Sequence, residues 1–307
     1  MKLNISELDC VYISYDEPKC EENWSDLLQK APWAKRVHQV KGFDAAHKAA
    51  ANLAETDYVI TIDGDNIVDE KFFDQVLDIP EQYEKCALSW NARNEINGLV
   101  YGNGGVKIWP REWIINMRTH EAAESDEYKL DFCWDNTYLQ LNSIWSVTCP
   151  NGSPFQSFRA GFREGCKMTL DAGSKVDPVK MKNMVHDSNF KRLMIWACVG
   201  SDVDNGLEAI YGARLGIYMT NIAKDFNISL ISDYDWFKKY GQEQLAKFPT
   251  REALIDEISK IGDAINKHMG INLCYYNEDQ SIFFKSVYEH REMEYSIRIE
   301  KEIMGLS

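Results

Sequence analysis

Apolar and polar positions along the first hundred residues switch repeatedly between a period of two and a helical period. Asp9 to Ser14 (DCVYIS) is predicted to be a strand, running into the polar and aromatic loop Tyr15, Asp16 and Glu17 that Pro18 stops. Glu22 to Lys30 has helical spacing, and Pro32 closes it. A short strand over Arg36 to Val40 leads to Lys41-Gly42-Phe43 and the alanine-rich helix AAHKAAANLAE, with Asp44 as the candidate N-cap. Val59, Ile60, Thr61 and Ile62 are β-branched and unbroken by charge, which predicts a buried central strand. That strand ends in Asp63-Gly64-Asp65, and Asp69 is placed to cap a helix over EKFFDQVL.

Beyond it, Lys85 to Asn91 (KCALSWN) reads as a further strand, and GLVYGNGG leads into an apolar run from Val106 to Trp109. Trp145 to Phe155 is turn-rich, QSFRAGFREGCKMTLD is helical, and another helix is built on Leu207, Ile210, Tyr211, Arg214 and Leu215. Asp202 and Asp204, ahead of that helix, read as caps and surface acids. From Ala223 onward helix formers dominate. Thr250 caps a helix whose Leu254, Ile258, Ile261 and Ile265 make one stripe, and a second helix is expected over Gln280 to Met304. The division expected is an α/β domain over 1–222, with halves meeting near 110, and a helical extension over 223–307 that packs on it or on a second copy.

Composition narrows the class. The chain has 307 residues, a net charge of −14 and 12% aromatics, with no low-complexity tract. The polar start MKLNISELD and the lack of an apolar run of about 18 residues predict a soluble protein of a cytoplasm-like compartment. Cysteines at 10, 20, 86, 133, 149, 166, 198 and 274 form no CxxC pair, which favours reduced thiols over a disulfide frame or a zinc site. The negative charge argues against a generally sticky nucleic-acid binder. Between Gln156 and Arg192, however, Lys and Arg outnumber Asp and Glu, as a phosphate-facing surface or a solvated helix face would.

The chemistry centres on Asp63 and Asp65. Ligands of open α/β sheets bind at the carboxyl ends of strands, and two carboxylates there suit Mg²⁺ or Mn²⁺ completed by substrate phosphates. Gly64 would let the backbone turn tightly between them. The plainer reading is an Asp-Gly turn. Tyr15 and Asp16 are candidates to stack a base and hold its ribose, or form a simple turn. Lys41 and the free N–H groups of the following helix would face a diphosphate, with His47 and Lys48 touching base or phosphate or else exposed on the helix. Gly102, Gly104 and Gly105 allow a backbone to approach a sugar, and also suit a hairpin.

Strand, helix, strand, helix, strand and DGD within the first 65 residues resemble the nucleotide-sugar glycosyltransferases of the GT-A fold. YISYDEP, ENWSDL, PWAKRVHQVKGFDAAHKAA and TIDGDNIVD are similar to transferases of tailed bacteriophages, most of all those that add arabinose to 5-hydroxymethylcytosine in phage DNA. The likeness is dense over residues 9–220. It implies an α/β, Rossmann-like GT-A mixed sheet with flanking helices and a helical C-terminal extension. It also implies metal-dependent transfer of a pentose or hexose from a UDP-sugar to a hydroxyl, best matched by hydroxymethylated DNA in an infected host cell. A glycan or protein acceptor stays open, as do a nucleotidyltransferase, a sugar-nucleotide binding protein and a homodimer. By that resemblance Gly104 and Gly105 line the donor sugar, and His186 adds a third metal ligand. Asp135 in WDNTY is the general base with Asp131 in reserve, although either also suits a helix cap. Arg93, Arg159 and Arg163 contact acceptor or phosphates, or pair with the protein's own acids.

Overall fold

The structure, a computed structural model, describes residues 1–102, 104–117, 138–290, 292 and 294–305. It is an α/β fold of the Rossmann-like class built on one mixed sheet. The order is β3 (Lys35–His38), β2 (Asp9–Ser14), β4 (Tyr58–Asp63), β9 (Val106–Pro110), β7 (Ala87–Asn94), β10 (Tyr138–Thr148) and β5 (Asn66–Val68), with β8 (Val100–Tyr101) beside β7. β3, β2 and β4 run parallel, joined through α1 (Cys20–Lys30) and α2 (Phe43–Leu53). β9 is antiparallel to β4 and to β7, β7 runs parallel to β10, and β5 closes the edge antiparallel to β10. Val59, Ile60, Thr61 and Ile62 are all fully buried, as an apolar run covered on both faces requires.

One face of the sheet packs Tyr12, Leu27, Ile62, Phe72, Trp90 and Leu141 into a core, and the other packs Val11, Ala50, Val59, Trp109 and Ile114. A third core is helical. It joins α4 (Pro154–Lys167), α6 (Asp187–Trp196), α7 (Gly206–Asn221), α8 (Tyr234–Leu245) and α9 (Arg251–Met269) around Phe158, Phe162, Trp196, Tyr211, Phe237 and Ile258. α4 and α7 meet backbone to backbone: a Cβ on Gly161 would sit 2.0 Å from the Ala209 carbonyl oxygen, and one on Gly212 would sit 2.2 Å from that of Phe158. No larger residue fits at these crossing points, so the glycines fix where α4 lies relative to the sheet.

The turn-rich stretch expected from Trp145 begins only after Thr148, since residues 145–148 end β10, and three further expected elements differ. EKFFDQVL is not a helix. After β5 the chain makes one 3₁₀ turn over Glu70–Phe72, capped by Asp69 accepting from the Lys71 N–H at 2.9 Å, and then β6 (Val76–Asp78). Pairing of β6 with β1 (Lys2–Asn4) and burial of Phe72 and Phe73 side by side hold this path against local helix propensity. Gly42, at φ 100°, takes the N-cap position of α2, and Asp44 falls in the first turn.

The third difference is at Gln280 to Met304, which is divided into α10 (Glu278–Val287) and α11 (Glu294–Ile303). α11 buries Ile299 and Ile303 in the sheet core. A bulge in β10 after Leu141 frees the Asn142 and Ser143 N–H groups, and the buried Glu300 carboxylate accepts both, at 2.9 and 3.1 Å. The segment beyond residue 222 is thus spread over the molecule, with α8 beside the strand ends, α9 in the helical core and α11 under the sheet. Among the described residues no helix is long and apolar enough to cross a membrane.

Candidate functional site

A cleft of about 680 Å³ opens at the carboxyl ends of β2 and β4. Its floor is Asp63, Gly64 and Asp65, one side is the Tyr15–Pro18 loop with Lys41, Gly42, Phe43 and His47, and the opposite wall is α4 with Tyr234, Lys238 and Gln242 of α8.

Asp63 closes β4. Its Oδ2 accepts from the Gly105 N–H at 3.1 Å and lies 3.5 Å from the Lys107 ammonium, which is almost fully buried. Burial works to raise the Asp63 pKa, but Lys107, His47 and the Gly105 N–H outweigh it and keep the group ionised. Among the described residues no such cation pairs with Asp65. Burial, then the charges of Asp63 and Glu17, push it up to about 7 against one hydrogen bond from Asn66 at 2.8 Å. Burial likewise raises Glu17, despite the Tyr15 N–H that its Oε2 accepts at 2.7 Å, with Asp16 and Asp63 adding to the rise.

Gly64 has a different task from the one its sequence suggests. Its backbone is not left-handed; what it supplies is room, because a Cβ there would lie 2.7 Å from Glu17 Oε2. Its carbonyl is held by the Tyr12 hydroxyl at 2.7 Å and Asn23 Nδ2 at 3.0 Å. Gly104 and Gly105 do require positive φ, at 107° and 96°, and a Cβ on Gly105 would sit 2.2 Å from Asn66 Oδ1. Both shape the backbone that cradles Asp63 and stand outside the cleft lining.

The other expected donor-side residues gather here in part. His47 is buried on Phe43 with ring centroids 4.0 Å apart, Nδ1 is 3.0 Å from the Phe43 carbonyl, and Nε2 has no partner. Burial, aided by Lys107 and opposed by Asp63, lowers its pKa to about 4, so the ring is neutral. Tyr15 packs edge-on to Tyr234 at 5.9 Å, and Asp16 accepts from the Tyr234 hydroxyl and lies 3.4 Å from Lys238 Nζ. Lys41 pairs with Asp235 at 2.8 Å. α8 therefore roofs the Tyr15–Asp16 loop. Lys48 is part-exposed on α2 outside the lining.

On α4, Gln156, Arg159, Ala160, Arg163 and Glu164 share the face toward the cleft. The Arg159 guanidinium lies 5.3 Å from the Tyr234 ring centre with Nε unpartnered. Burial lowers its pKa, while Tyr234, Asp16, Asp65 and Glu17 act to restore it, so it faces the acids across the cleft. Arg163 donates to the Ile231 carbonyl at 2.7 Å. At this end the Trp196 indole N–H donates to Tyr101 Oη at 3.1 Å, and Tyr101 donates to Glu164 Oε2 at 2.9 Å.

Two expected residues are elsewhere. His186 is exposed and caps α6, accepting from the Ser188 N–H at 3.3 Å, and Arg93 is exposed on β7 outside the lining. Asp131 and Asp135 lie outside the described residues. Sequence reasoning missed Lys107, whose signal was a lysine inside the apolar run VKIW paired with Thr61 of β4. It also missed Glu17 as a site residue, together with Tyr101, Glu164, Tyr234 and Lys238. These last four carried no local signal, since only the fold brings them to the cleft.

The donor set fits a hard divalent cation. Three carboxylates line one end with one buried ammonium beside Asp63, and Asp65 is raised first by burial and then by the charges of Asp63 and Glu17. Asp63 and Asp65 are the residues that would hold the ion, with substrate oxygens and waters completing its shell. Among the described residues the one group of three with ligand atoms all within 4.8 Å is Cys20, Glu21 and His38. There the Arg36 guanidinium already serves as the cation, 2.7 Å from Glu21, 3.2 Å from His38 and 3.6 Å from Cys20. No protein-family model matches the chain, and no curated protein matches it.

Proposed function

We propose that the cleft binds a nucleoside diphosphate sugar with Mn²⁺ or Mg²⁺ on Asp63 and Asp65, and that the protein is a GT-A glycosyltransferase. The observation that carries this reading is the under-compensated Asp63, Asp65 and Glu17 cluster at the carboxyl end of the central parallel strand, facing Arg159 across the cleft. The sheet supports it, since antiparallel β9 inserted beside the strand bearing the two aspartates suits the GT-A arrangement. A bound divalent ion offsets the charge that grows on the leaving diphosphate. The chain's own residues do the rest. Lys107 and the Gly105 N–H hold Asp63 ionised, Arg159 and Lys238 face the diphosphate, and Tyr234 of α8 holds the Tyr15–Asp16 loop in place.

The donor best suited by the phage-like motifs is a UDP-pentose or UDP-hexose, and the acceptor is 5-hydroxymethylcytosine in DNA. The test is incubation with Mn²⁺, a panel of UDP-sugars, and plain or hydroxymethylated DNA. UDP release that depends on hydroxymethylated DNA is the expected result. Release without DNA indicates hydrolysis of the donor and counts against DNA as the acceptor, and a protein that neither binds UDP in the presence of Mn²⁺ nor releases it overturns the reading.

A further inference from the structure

The carboxylates lining the cleft divide into two unequal groups. Asp16, Glu17, Asp63 and Asp65 cluster at the strand ends, where Asp16 is engaged by Tyr234 and Lys238 and the others share one pool of negative charge. Glu164 alone of the described lining acids stands at the other end, in the last turn of α4. Five residues separate it from Arg159, so it lies about 7.5 Å further along the helix axis. That offset is on the scale of a sugar ring laid beyond a diphosphate.

Its surroundings are arranged around one proton balance. Trp196 donates to Tyr101 and Tyr101 donates to Glu164 Oε2, so both of these hydrogen bonds point toward the carboxylate. The Tyr101 phenol is buried and held protonated, first by burial and then by the charge of Glu164. The Arg192 guanidinium lies 4.8 Å from the Tyr101 ring centre. The Gly161 and Gly212 crossing fixes the helix that carries Glu164, and the Tyr101 hydroxyl holds its carboxylate.

We propose that Glu164 is the group that takes the acceptor's proton, with Tyr101 and Trp196 as its positioning residues, an inference that rests on the glycosyl-transfer reading above. The acceptor oxygen forms its bond to the anomeric carbon as the bond from that carbon to the phosphate oxygen breaks. The electron pair leaves with the diphosphate, and the hydroxyl proton passes to Glu164. One such displacement inverts the anomeric configuration.

The experiment compares wild type, Glu164→Gln, Glu164→Asp and Tyr101→Phe, measuring UDP-sugar binding with Mn²⁺, kcat and KM for transfer across pH, and the anomeric configuration of the product. The expected result is donor affinity within twofold of wild type in Glu164→Gln and kcat lower by about 10²- to 10³-fold. Its acidic limb of the pH profile is lost, Glu164→Asp recovers part of the rate, and Tyr101→Phe shifts that limb. The product is inverted. Retained configuration, an unchanged pH limb, or a change in KM with kcat intact overturns the proposal. If wild type binds no donor with Mn²⁺, the glycosyl-transfer reading falls. If wild type transfers sugar and Glu164→Gln keeps its kcat, this inference alone falls.

Discussion

At the strand-end side of the cleft three carboxylates line one end, and Asp65 is pushed up to about 7, first by burial and then by the charges of Asp63 and Glu17. At the α4 side a single carboxylate receives a chain of donors and has no acid against it within the described lining. The contrast separates two kinds of polar site. The first is costly until a cation arrives, since clustered anions in a part-buried place repel one another. The second already receives a hydrogen bond from Tyr101, and under the proposal above it is the group that takes the acceptor's proton.

Removing a carboxylate from the crowded end breaks the contrast most severely. Asp65→Ala should lower transfer by at least about 10³-fold and abolish Mn²⁺-dependent nucleotide binding, with the circular dichroism spectrum unchanged. Gly105→Ala should come next, costing about 3 kcal/mol in denaturant titration as well as donor affinity, because its φ of 96° and the nearby Asn66 both exclude a methyl group. Gly64→Ala should cost only about 1 kcal/mol, since its Cβ meets the movable end of Glu17.

The proton on Asp65 sharpens the comparison through pH. In the ion-free protein the folded state holds this proton more tightly than the unfolded chain, so the stability it contributes is present at acid pH. That contribution is lost as pH rises from about 4 toward about 7. Mn²⁺ affinity, by calorimetry, should rise by up to about tenfold per pH unit toward 7 and then level, as binding displaces that proton. Asp65→Asn should flatten both slopes. The smallest effect is expected from His186→Ala, which removes an exposed cap at a cost under about 1 kcal/mol and leaves Mn²⁺-dependent nucleotide binding unchanged.

What was legible in the chain follows from locality. β2, β4 and their aspartates announced themselves because a β-branched run and a DGD triplet are complete within a few residues. The EKFFDQVL stretch misled because its helix propensity is overridden by pairing of Val76 and Leu77 in β6 with β1 (Lys2–Asn4), more than 70 positions away. The α8 contribution was invisible for the same reason: Tyr234 meets Asp16 across 218 positions, and nothing near either residue marks the other. The α4–α7 contact did have a signal, glycines four apart at 161 and 165 and again at 212 and 216, which mark close-approaching helix faces.

The bond between Glu300 and the β10 bulge has a bearing on biosynthesis. The strands are made well before residues 299 to 303, so the part of the apolar underside around Trp90 and Leu141 that α11 covers stays open while the intervening chain is synthesised. A nascent chain stalled ahead of that point would present a sticky face to chaperones.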